Sequence, residues 1–194
     1  MGVRETVKGR KLRSTGSIRH KGKKLSEILE AHDRFVRGDE TGARADLSGA
    51  PLAKANLERA NLAYAILAGA NLEGASLREA KLASADFSKA RMQRVDLRRA
   101  DLTEANLSGA DLTEAQAGGT ELFRADLQSA ILRGADLGAA NFRNAQLRGA
   151  DFHGAKLKTT ILRETNLDGV DLSGADLSTA LLPRGYNPSS AAKS

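Results

Sequence analysis

The chain has 194 residues, of which 41% are hydrophobic and 28% charged, a composition within the globular range and enough for one domain with appendages. It contains no Cys, which excludes disulfides, thiolate metal sites and Cys nucleophiles together. No apolar run approaches the ~18 residues of a membrane span. The polar start lacks the apolar stretch of a secretory signal, so the expected compartment is the cytoplasm. The net charge of +6 is unevenly held: residues 1–44 carry 12 Lys/Arg against 6 Asp/Glu, and residues 45–184 carry 17 against 18.

Residues 6–24 hold Lys8, Arg10, Lys11, Arg13, Arg19, Lys21, Lys23 and Lys24 and no acid. Residues 1–24 are expected as a basic, unstructured tail. Its cations suit nucleic acid or anionic lipid, bound through phosphates and weakened by salt. A solvated charge run, or a tail folded back on the body, accounts for the same residues. Residues 25–44 read as a helix and linker. Leu25, Ile28, Leu29, His32, Phe35 and Val36 fall on one helical face, with Ser26 as N-cap, Glu27 and Glu30 in the first turn, Arg34 and Arg37 in the last, and Gly38 as the stop.

From Ala45 a five-residue pattern starts and keeps register for 28 blocks, ADLSG APLAK ANLER ANLAY AILAG and onward to residue 184. The third residue of the block is Leu in 23 blocks, Phe in three, Met at Met92 and Ala at Ala117. The first is Ala in 23 blocks, the second Asp or Asn in 16, and ten blocks end in Gly. A straight strand would send these central residues to alternate faces. An α-helix would scatter them by roughly 140° per block. The pattern closes only if the chain bends once per block, so that every central side chain meets at one axis. Leu47, Leu52, Leu57, Leu62, Leu67, Leu72, Phe87, Met92, Phe142 and Phe152 are then core, and Asp or Asn beside each corner binds the backbone.

These blocks resemble the pentapeptide-repeat family, written A(D/N)LXX, over residues 45–184. The resemblance implies an all-β solenoid, a right-handed quadrilateral β-helix with four blocks per coil and about seven coils. At an inter-strand spacing of about 4.8 Å the rod would be on the order of 30–35 Å long. A short N-terminal helix precedes the first coil in bacterial members, and here it would lie across that coil as a lid on an open sheet edge.

Beyond the repeats, Leu181, Leu182, Pro183 and Tyr186 are expected to seal the last coil or to pair it with a second copy as a homodimer. Residues 185–194 are expected as an unstructured tail. In EAQAGGTEL, Ala117 replaces the central Leu and Gly118 and Gly119 follow, so the chain is expected to be weak, bulged or bent there.

No catalytic, cofactor or metal constellation emerges. His20, His32 and His153 are far apart, and the acids recur by fives as a corner ladder. With columns twenty residues apart, Arg143 and Arg163 stack, with Phe123 and Arg124 on the same face, while Arg91, Arg94, Arg98 and Arg99 form a belt around the third coil. Solvated charge explains these residues as well as a docking surface does. The leading function is a non-enzymatic scaffold presenting rod faces to a partner protein. The resemblance also implies a second reading, a DNA-mimicking binder of DNA gyrase or another type II topoisomerase, although the near-neutral rod departs from the acidic surface this requires. The third is tethering through residues 6–24.

Overall fold

The computed structural model describes residues 11–186, so Lys8, Arg10 and residues 187–194 lie outside the described part. From Asp46 onward the second residue of a block pairs in parallel with the residue twenty positions later: Asp46 with Ile66, Asn106 with Asp126, Ile161 with Leu181. Four blocks therefore make one turn. Three backbone hydrogen bonds join a block to its successor. In the first, Leu47 N–H donates to Ile66 O (2.7 Å), Gly49 N–H to Ala68 O (2.9 Å) and Ile66 N–H to Ala45 O (2.9 Å).

The corner is a four-residue turn. Ala50 N–H donates to Leu47 O at 3.0 Å, and Gly49 between them has φ +64°. A positive φ at the third residue of such a turn is type II geometry. Sequence alone attaches this conformation to the ten blocks ending in Gly. The structure imposes it on the fifth residue of every block from 45–49 to 170–174, with φ between 54° and 71°, including Tyr64, Glu114 and Ala139. An L-residue there costs roughly 1–2 kcal/mol, and the hydrogen bonds above and below the corner fix the conformation regardless. The expected side-chain brace is present: Asp46, Asn71, Asp86, Asn106 and Asp171 each accept the N–H of the residue two positions on, at 2.9–3.1 Å.

The core is the predicted one. Leu47, Leu52, Leu57, Leu62, Leu67, Leu72, Phe87, Met92, Phe142 and Phe152 are all at most 1% exposed. Phe142 and Phe152 meet edge to face with centroids 5.8 Å apart. Thr120 and Thr160, in place of the small first residue, are buried and donate their hydroxyls to Leu97 O and Leu137 O at 2.8 Å.

At Ala117 the expected bulge is absent. Gln116 pairs with both Asp96 and Asp136, Ala117 N–H donates to Asp136 O at 2.7 Å, and Gly119 N–H to Gly138 O at 2.8 Å. Backbone pairing does not depend on the central side chain, so losing the Leu leaves the ladder intact. Farther on, Gln146 and Asn166 do not pair. A cleft of about 490 Å³ lies there, lined by Gln128, Gln146, Arg148, Asn166 and Asp168.

The N-terminal segment departs most from expectation. Residues 13–24 are not an unstructured tail. Arg13 pairs in parallel with Ala55, donating its N–H to Lys54 O (2.7 Å) and accepting from Asn56 N–H (2.9 Å). A 3₁₀ turn follows at Thr15–Ser17. Strands β1 (Arg19–His20) and β2 (Lys23–Lys24) then form an antiparallel hairpin. Its turn residues Lys21 and Gly22 have φ +47° and +80°, the type I′ pattern. Ile18 is fully buried in the core, and this one apolar anchor together with the backbone pairing orders an otherwise polar segment.

Helix α1 (Leu25–Val36) begins two residues earlier than expected. Its N-cap is Lys24, whose N–H donates to the Glu27 carboxylate at 3.0 Å, and not Ser26. Gly38, with φ +79°, ends it as predicted. Leu25 and His32 are buried, Ile28 and Leu29 pack on the core, and Phe35 remains 39% exposed.

Candidate interaction surfaces

Outward positions fall into four faces, each a column of blocks twenty residues apart. Blocks 120–124, 140–144 and 160–164 share one face, because Glu121 pairs with Asn141 and Asn141 with Ile161. That face brings Phe123, Arg124, Arg143 and Arg163 together as predicted. The Arg124 guanidinium lies over the Phe123 ring at 4.9 Å and 3.6 Å from Glu104. Arg143 binds Glu164 at 3.1 Å and holds its carboxyl below the usual range, with Arg163 adding to the effect. Tyr64, 53% exposed, sits farther down the same column.

The belt around the third coil is divided between faces. Arg91 and Arg94 both approach Glu73 on one face. On the next, Arg98 chelates the buried Asp96 of its own block through Nε and Nη2, which raises the guanidinium pKa. Arg99 lies exposed beside it. Much of this charge is already matched by neighbouring acids, as in a solvated surface.

The two rod ends differ. At the N-terminal edge Pro51 stands where another residue would leave an unpaired N–H, and the Arg13 guanidinium donates to Pro51 O at 3.2 Å. His32 Nδ1 accepts the Ala45 N–H at 3.0 Å, and Lys21 binds Asp46. Burial lowers the His32 pKa, as does Arg44, while the Ala63 backbone and Asp33 oppose the shift. At the C-terminal edge the N–H groups of Leu167, Leu172 and Leu177 have no backbone partner among the described residues. Of the predicted cationic tail, Arg13 and Lys21 are thus used in closing the first edge. Lys11, Arg19, Lys23 and Lys24 carry no ion pair among the described residues. The fold-back reading of the basic run holds for Lys21 on Asp46. The Arg13 contact with the edge was not read from sequence, and Pro51, the one Pro at the second position of a block, was its signal.

Among the described residues no group of His, Cys, Asp or Glu is placed to hold a metal, and no helix is long and apolar enough to cross a membrane. Histidine side chains do not converge: His153 Nδ1 lies 2.8 Å from Ser173 Oγ on an outer face.

The family model for pentapeptide repeats matches residues 43–79, 80–116, 120–158 and 145–182. The chain belongs to the pentapeptide-repeat family. Membership implies the right-handed quadrilateral β-helix, and the match skips residues 117–119, where the central Leu is lost. Among solved structures, the pentapeptide-repeat protein Rfr23 from the cyanobacterium Cyanothece 51142 is 38% identical, with TM-score 0.45; the match covers 46% of this chain and 63%, less than two thirds, of that one. HetL from the cyanobacterium Nostoc sp. strain PCC 7120, a pentapeptide-repeat protein involved in heterocyst differentiation regulation, is 29% identical over 73% of this chain and 86% of its own, with TM-score 0.39. QnrB1, a plasmid-mediated fluoroquinolone resistance protein, is 18% identical over 71% of this chain and 93% of its own, with TM-score 0.40. Curated protein sequences contain no match.

Proposed function

We propose that this pentapeptide-repeat protein is a non-enzymatic interaction module, a cytoplasmic scaffold of about seven coils that presents a rigid face to a partner protein. The ladder is the observation that carries this reading. With pairing at a fixed interval of twenty residues from Asp46 to Leu181, broken only between Gln146 and Asn166 among the described residues, outward side chains stand in columns set by the backbone. The favoured face is the one carrying Phe123, Arg124, Arg143 and Arg163, where a half-buried ring is bordered by guanidinium groups. Such a surface suits an acidic partner with an apolar contact at its centre.

The test is capture from nuclease-treated host lysate with the wild-type chain and the double variant Phe123→Ser/Arg163→Glu. A stoichiometric partner held by the wild type and lost by the variant supports the face. Equal capture by both moves the interface elsewhere. Capture of a type II topoisomerase would favour the DNA-mimic reading in spite of the neutral rod.

A second copy is a further partner, favoured by the C-terminal edge, where Leu167, Leu172 and Leu177 N–H have no backbone partner among the described residues. Leu181 is 40% exposed there, and Leu177, Leu182 and Tyr186 are only partly buried. Sedimentation should show a dimer that Leu177→Arg converts to monomer.

A further inference from the structure

We propose that the cavity enclosed by the hairpin, α1 and the first coil binds a small tetrahedral oxyanion, either free phosphate or the phosphate end of a monoester. The cavity measures about 220 Å³, and its polar lining is His20, Lys21, Lys23 and Arg44 with Glu27 and Asp46. Both acids are occupied. Asp46 accepts from Lys21 and from the Ser48 hydroxyl and N–H, and Glu27 accepts the Lys24 N–H.

The cations are less committed. Lys23 has no ion pair among the described residues. Arg44 gives Nε to Tyr64 O, and no partner is present among the described residues for its other N–H groups. His20 Nε2 is buried without a hydrogen-bond partner. A buried nitrogen in this condition calls for an acceptor or a donor, and a partly enclosed space bordered by two uncommitted cations favours an anion. A phosphate accepts from all three groups and needs no donor of its own.

The site also couples binding to protons. Burial lowers the His20 pKa, Lys21 lowers it further and Asp46 opposes both. The facing groups are thus Lys21, Lys23 and Arg44 as cations and Glu27 and Asp46 as anions. A bound dianion adds negative charge, raises the histidine pKa and draws in a proton, so affinity rises as pH falls below the ordinary value of 6.5.

Calorimetric titration of the full chain with inorganic phosphate at low salt is the test, with adenosine monophosphate and sulfate as companion ligands. The expected result is one site, weakened about tenfold by Lys23→Gln and by Arg44→Gln and unchanged by the remote Lys89→Gln. Sulfate keeps its charge over this range, so its affinity should rise from pH 7.5 to 5.5 in the wild type and stay flat in His20→Asn. Tighter binding of the monophosphate identifies a phosphate monoester as the source of the anion; equal or weaker binding identifies the free ion. No heat with any ligand, or binding indifferent to Lys23→Gln and Arg44→Gln in variants whose circular dichroism matches the wild type, overturns the proposal.

Discussion

At the N-terminal end Leu47, Leu52, Leu57 and Leu62 are at most 1% exposed, whereas at the other end Leu167 and Leu172 are 7% exposed and Leu177 and Leu182 only partly buried. The residue type and the repeat are the same at both ends. The first coil has a coil above it and Arg13, Ile18 and α1 below, while the last has, among the described residues, a neighbour on one side only. Burial in a solenoid is therefore a property of the stack and not of the block. Gln146 pairs with Asp126 but not with Asn166, and this missing bridge marks a loosening that begins before the final coil.

The widest test of this contrast compares Leu57→Ala with Leu177→Ala in denaturant unfolding. Leu57→Ala should cost ~2–5 kcal/mol, as for a fully buried Leu. Leu177→Ala should cost less than about half of that, because less apolar surface leaves water on folding. Equal losses would mean that the C-terminal coil is covered in solution.

The Ala117 block lies between these ends and gives a smaller effect. Ala117→Leu is expected to raise stability by about 0.5–2 kcal/mol, as cavity-filling changes do, and a fall in Tm would show that neighbouring side chains have closed around the methyl group.

The third test separates the ends by pH. Buried His32 has a pKa below its ordinary 6.5. The unfolded chain thus binds more protons just below that value, so stability is full above pH 6.5 and falls as pH drops toward the folded pKa. Amide exchange at Ala45 should quicken from pH 7.5 to 5.5, after correction for the intrinsic rate, while exchange at Asp171 should not. His32→Leu should abolish the difference in pH-dependence between the Ala45 and Asp171 amides.

The smallest effects are at the corners. Ala139→Gly relieves a left-handed L-residue, and Gly74→Ala creates one with its nearest foreign atom, Lys54 Cγ, 3.7 Å away. The first should stabilise and the second destabilise, each by roughly 0.5–1 kcal/mol in thermal melts.

What could be read from residues alone was whatever repeats. In 27 of the 28 blocks the central residue is large and apolar, so the core and the brace by Asp46 or Asn106 were legible from pattern. Arg13 to Lys24 were not, because their order comes from pairing with residues about forty positions away and from one apolar side chain, Ile18. Local rules also misplaced the helix start: they favour Ser26, but burial of Leu25 and the hairpin leading into it extend the helix to Leu25. For the interaction face, the sequence located Arg143 above Arg163, yet the acids that occupy Arg98 and Arg143 depend on rotamers that no spacing reveals.

The sameness of the blocks creates a counting problem, for which Pro51 and Arg13 supply an answer. Sliding the chain by five residues would exchange one Leu for another and leave the interior almost unchanged, so the repeat carries little record of where a turn begins. A proline that cannot donate, an arginine matched to Ala55 and a histidine matched to Ala45 occur once each, and together they mark the origin from which every later corner is numbered.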